Sequence, residues 1–69
     1  MIKKTSLVKW VKGNKLPNNL KNSIGLVLTN PKEKIINITK QITAVKFTVD
    51  VLFNDIIYTV LVEELEKVN

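Results

Sequence analysis

The clearest pattern in the chain is a strict alternation from Thr43 to Phe53. Val45, Phe47, Val49, Val51 and Phe53 fall on one side, and Ala44, Lys46, Thr48, Asp50 and Leu52 on the other. A period of two over eleven residues, rich in β-branched and aromatic types, predicts a β-strand. No helix keeps those five apolar residues on one face. Asn54-Asp55 follows, and then a second apolar stretch, Ile56 to Leu61. Asn and Asp tolerate positive φ, so the pair predicts a tight two-residue hairpin turn.

Upstream, Ser6–Val11 and Ile24–Thr29 read as two further strands. Gly25 lies inside the second, which suggests a bulge or a close approach of another element to the backbone. The residues between them, Lys12 to Asn22, carry Gly13, Pro17 and four Asn, and so read as a long loop. Leu16 and Leu20 are its only means of attachment to a core. Asn30–Lys34 reads as a turn, and Ile35–Ile42 as an extra strand or the extension of a long hairpin. Glu63-Glu64-Leu65-Glu66 breaks the alternation and suits one short helical turn, leaving Lys67–Asn69 for a closing strand. Five strands closing on themselves leave no exposed sheet edge.

Composition narrows the range of functions. At 69 residues the chain holds one domain. A domain of this size buries only about 60% of its unfolded surface, so its core is small. It has no Cys and no His, which excludes disulfides, thiolate metal sites and the usual neutral-pH proton shuttle. Nucleophilic catalysis needs a Ser, Thr or Cys beside a base, and no pair stands out. Asp50 and Asp55 flank a turn, and Glu63, Glu64 and Glu66 sit on one helical turn, where acids are ordinarily just solvated. The expectation is a protein that is not an enzyme, has no cofactor and acts on no small-molecule substrate. No apolar run approaches the ~20 residues of a membrane span. Met1-Ile2-Lys3-Lys4 leads into no apolar segment of the secretory type. The expected place is the cytosol or an assembly built there.

The charge is lopsided. All eleven cations are Lys, and the net charge is +5. Residues 1–40 carry nine Lys and one Glu, and residues 41–69 two Lys and five acids. Arg supplies the planar fork used for phosphate and guanine, so lysine alone suits diffuse attraction or solubility. Lys9, Lys12, Lys15 and Lys21 lie on the first strand and its loop. They form either a basic groove for nucleic acid, flanked by Trp10 or Tyr58, or a plain solvated loop.

Trp10 shares a side with Val8 and is either a core residue or an exposed anchor for a partner. Tyr58 is either a rim packing residue or a ligand-facing aromatic. In the stretch from Ile56 to Val62, Ile56, Tyr58, Val60 and Val62 point one way, and Ile57 and Leu61 the other. Both faces being apolar implies burial on both, which a domain this small struggles to provide alone. Trp10, Tyr58, Ile56 and Val60 are therefore the candidate partner-binding residues.

Leu7-Val8-Lys9-Trp10, Ile24-Gly25-Leu26-Val27-Leu28, Val49-Asp50-Val51-Leu52-Phe53, Ile57-Tyr58-Thr59 and Glu64-Leu65-Glu66-Lys67-Val68 follow one another in an order that resembles a group of small SH3-like barrel proteins. These belong to contractile-tailed bacteriophages, including those of cyanobacteria. The resemblance covers nearly the whole chain in short apolar motifs. It implies an all-β, five-stranded SH3-like barrel over residues 1–69, with one short helical turn before the last strand. It also implies a virion-associated or host-interaction role, by docking onto a larger protein assembly or onto a second copy. Two features depart from the pattern. Thr5-Ser6 stands where the group has a Gly-Asp turn, and the stretch from Asn30 to Thr43 is longer. A weaker similarity to KOW-type barrels, through Gly13 and Gly25, implies nucleic-acid binding by the lysine-rich half as the alternative.

Overall fold

The computed structural model describes residues 1–69. The chain is all-β and forms one curled antiparallel sheet. Its strands are β1 (Leu7–Trp10), β2 (Ile24–Val27), β3 (Lys32–Asn37), β4 (Thr43–Phe53), β5 (Ile56–Leu61) and β6 (Leu65–Lys67). Two single 3-10 turns, Asn18–Leu20 and Val62–Glu64, interrupt them. β4 spans the residues of the alternating run, Thr43–Phe53.

The strand order is that of an SH3-like barrel. β1 pairs with β2 on one side and β6 on the other, β2 and β3 pair with β4, and β4 pairs with β5. There are six strands rather than five because β2 and β3 are two halves of one run along the same edge of β4. Val27 lies opposite Val51, but Lys32 lies opposite Thr48, so five residue steps on one strand face three on the other. The surplus is a bulge at residues 28–31, ending at Pro31, which has no N–H to offer a ladder. Thr29 compensates: its hydroxyl accepts the Asp50 N–H at 3.0 Å. The expected turn at Asn30–Lys34 is thus a bulge, and Lys32–Lys34 already belong to β3. No pairing joins β5 to β6, so the barrel is half open rather than closed.

The β4–β5 turn is the two-residue type that its sequence allows. Asn54 and Asp55 have φ of 49° and 68°, both left-handed, as a primed turn requires. Thr5 is also left-handed, at φ 77°, in the turn that precedes β1. That turn is held by Ser6, whose N–H donates to the Lys3 carbonyl and whose Oγ accepts the Lys3 N–H.

The core lies inside the curl. Val8, Leu20, Val27, Val49, Val51, Phe53 and Val60 are sealed from solvent, and Trp10 nearly so. Trp10, Phe53 and Tyr58 pack as an aromatic trio, with ring centroids 5.7–6.1 Å apart. Leu20 pins the long loop to this core, with Leu16 partly buried beside it. Gly25 marks a close approach rather than a bulge. A Cβ there comes within 2.6 Å of both Phe53 Cε1 and Val51 Cγ1.

Candidate interaction surfaces

β4 is longer than the barrel that it crosses. Its C-terminal half lies between β2 and β5, but from Thr43 to Phe47 it pairs with β3 alone. Residues 32–48 therefore form a two-stranded arm. The molecule is accordingly elongated, at 38 × 24 × 18 Å. The apolar stripe of β4 runs straight out along the arm. Val49, Val51 and Phe53 are at most 1% exposed, whereas Val45 and Phe47, on the same face, are 57% and 48% exposed. Ile35 of β3 stands opposite Val45 and adds to the uncovered face.

At the base of the arm this face opens into an apolar groove of about 450 Å³. Val45, Phe47, Pro31, Met1, Ile2 and Val62 supply its apolar walls. Lys46 and Glu63 close one side with an ion pair of 2.8 Å. The hydrogen bond from Lys46, and then its charge, hold the Glu63 carboxyl below its ordinary value of 4.5, with Lys12 assisting and desolvation opposing. Because the folded pKa is depressed, the stabilisation is present above the unfolded value and lost as pH falls through the folded one. Glu63→Gln should therefore flatten the fall of melting temperature with acid in that window. The effect is small, since the pair is exposed, and should shrink further in high salt. Melting curves of both proteins across the acid range check this.

A second apolar surface lies on the outer, convex side of the sheet. Cross-strand register aligns Leu7 with Leu26, Leu26 with Leu52, and Leu52 with Ile57. Val68 extends the row, its N–H donating to the Leu7 carbonyl at 2.8 Å. Five side chains from five strand segments thus form one apolar ridge across the sheet. Ile24 flanks the ridge, and all but the half-buried Leu52 are exposed. At ~4.8 Å between strands the ridge is about 19 Å long.

The candidate partner-binding residues divide. Ile56 is exposed on the surface, and Tyr58 is half-buried against Trp10 and Phe53. Of its two readings Trp10 takes the core one, and Val60, a candidate for partner contact, lies in the core as well, at 4% and 1% exposure. They sit on inward-facing positions, and the Trp10 indole N–H donates to Glu64 Oε1 at 3.2 Å. The lysines are also dispersed. Lys9 faces outward on β1 opposite Glu66 of β6. Lys12 lies within electrostatic reach of Glu63. Lys15 borders a hollow of about 250 Å³ with Lys34, Trp10 and Glu64, and Lys21 stands exposed beyond the loop's 3-10 turn.

Sequence reasoning placed the stripe of β4 but not its uncovered half, and it missed the ridge. The ridge has no linear signal, because its members are separated by up to 61 positions, from Leu7 to Val68. Comparison with known families, curated proteins and solved structures finds no match.

Proposed function

We propose that the chain is a non-enzymatic interaction module that docks through its arm onto protein, either a larger assembly or a second copy. One observation carries this reading: the apolar stripe of β4 leaves the core and continues along Val45 and Phe47 with nothing over it. Apolar side chains lined along a strand and ending in a groove stabilise a complex when covered and contribute nothing to the isolated domain. The resemblance of the strand motifs supports a phage-type barrel, with a virion structure such as capsid, neck or tail as the setting.

The alternative, nucleic-acid binding, draws on the net charge of +5. It is weakened by the dispersal of Lys9, Lys12, Lys15 and Lys21, two of which face acids. Sedimentation with and without a short duplex of DNA or RNA, at low and high salt, separates the two. Association that persists in high salt and ignores the duplex supports the proposal. A monomer that moves onto the duplex at low salt and leaves it at high salt overturns it, because counterion release makes phosphate binding steeply salt-dependent.

A further inference from the structure

β3 is the last strand on its side of the sheet, and it pairs with β4 alone. Along a strand, the backbone N–H and C=O of successive residues turn to opposite neighbours. Ile38, just past β3, donates its N–H to the Ile42 carbonyl across the arm's hairpin. By alternation Lys32, Lys34 and Ile36 turn their backbone groups to β4. Glu33, Ile35 and Asn37 turn theirs to the side where no strand pairs. The free edge is ~20 Å long. Its two faces differ. Register sets Lys32, Lys34 and Ile36 on the face of Lys46 and Thr48, and Glu33, Ile35 and Asn37 on the face of Val45 and Phe47. On the first face Lys34 stands directly opposite Lys46, with Lys32 diagonal to it. Lys46 is met by Glu63, in the one ion pair of the molecule, so Lys32 and Lys34 are left uncompensated. Lys15 joins Lys34 at the hollow beside them, and the one acid there, Glu64, already accepts the Trp10 indole N–H. On the second face Ile35 lies opposite Val45, both exposed, and Glu33 is the only charge.

From this arrangement we infer that the arm's partner is an extended polypeptide segment of alternating acidic and apolar residues, which joins the sheet as a strand at the free edge of β3. This rests on the reading of the chain as a protein-docking module. Unpaired backbone groups in a row select a strand. A strand sets successive side chains on opposite faces, so one segment meets both faces of the arm. Its acids fall beside Lys32 and Lys34, and its apolar residues fall beside Ile35. Two copies of this chain do not pair there, because joining two β3 edges sets Lys32 and Lys34 of one beside those of the other. The lysines that keep this edge from its own kind attract an acidic strand. Nucleic acid would meet the lysines but has no strand to offer the free edge and nothing to cover Ile35 and Val45.

The test measures fluorescence anisotropy of a short, capped, labelled peptide of alternating glutamate and valine, titrated with the full chain. Three comparisons accompany it: the same peptide with lysine for glutamate, the same peptide with its amide nitrogens methylated, and the double variant Lys32→Glu, Lys34→Glu. Both substituted positions are exposed, and the second faces Lys46, so the far-ultraviolet circular dichroism spectrum should not change. The glutamate peptide should bind the wild type, more weakly in high salt but still measurably. Methylation should abolish binding, because it removes the donors to the edge while keeping the side chains. The double variant should lose roughly tenfold or more in affinity for the glutamate peptide and prefer the lysine one. Equal binding of the methylated peptide overturns the strand pairing, and equal binding by wild type and double variant overturns the acidic partner. Failure of the glutamate peptide to bind at all overturns the inference. Each of these leaves the docking module standing. Sedimentation of the chain alone covers the remaining occupant: self-association that the double variant loses puts a second copy on the edge and overturns the acidic segment. A monomer that takes a nucleic-acid duplex and no peptide overturns both readings.

Discussion

Phe53→Ala should remove a large share of the chain's stability at 25 °C. Phe53 is fully buried, and it packs on Trp10 and Tyr58 at centroid distances of 6.1 Å each. Emptying such a site costs about 3–5 kcal/mol, from lost transfer energy and from the cavity left behind. Chains of this length have roughly 3–10 kcal/mol in total. The core cannot redistribute the loss, because only 12 of 69 residues are buried and most already touch one another. Denaturant titration of wild type and variant, read by near-ultraviolet circular dichroism, measures this. A variant that keeps its transition midpoint places the weight of the fold somewhere other than the aromatic trio.

The second large effect comes from adding atoms rather than removing them. Gly25→Ala places a methyl 2.6 Å from Phe53 Cε1 and Val51 Cγ1, where neither neighbour is a free chain end. Overpacking of this kind costs about 1–3 kcal/mol. The mechanism is open to a direct check. Val51→Ala removes one of the three obstructing atoms, the other two being Cε1 and Cζ of Phe53, at its own expense. The double variant Gly25→Ala, Val51→Ala should therefore be more stable than the sum of the single losses allows, with a coupling on the order of 1 kcal/mol. Strict additivity of the two losses sinks the steric account.

What the sequence discloses here follows from the range of each signal. The β4 strand and its hairpin were legible because their causes are local: alternation sets the face, and Asn54-Asp55 sets the turn. Leu16 and Leu20 were legible as pins because an otherwise polar loop offers nothing else to bury. The start of β3 was not, since Lys32-Glu33-Lys34 after Pro31 looks like a solvated turn. Those residues extend only because β4 continues past the barrel and gives them a partner. Alternation also cannot say how far along a strand the cover reaches. Val45 and Val49 are indistinguishable in sequence, and what separates them is where β2, β5 and the turn at Val62–Glu64 come to lie. Trp10 stayed open between core and surface, and Val60 stood among the candidates for a partner, for a related reason. An apolar strand with both faces occupied does not reveal which face is inside. The ridge is the extreme case, created wholly by register between strands distant in the chain.

The pairing of β1 with β6 has a consequence in time. Val8 lies opposite Lys67, and the Leu7 N–H donates to Asn69 Oδ1, so the two ends of the chain meet in one ladder. That contact closes a loop nearly as long as the molecule, whereas the arm and the β4–β5 hairpin close short ones. The hairpins have the means to form early. The barrel must wait for the slowest encounter in the polymer, between its first strand and its last. The apolar arm therefore has time to form before β6 reaches β1 and completes the sheet.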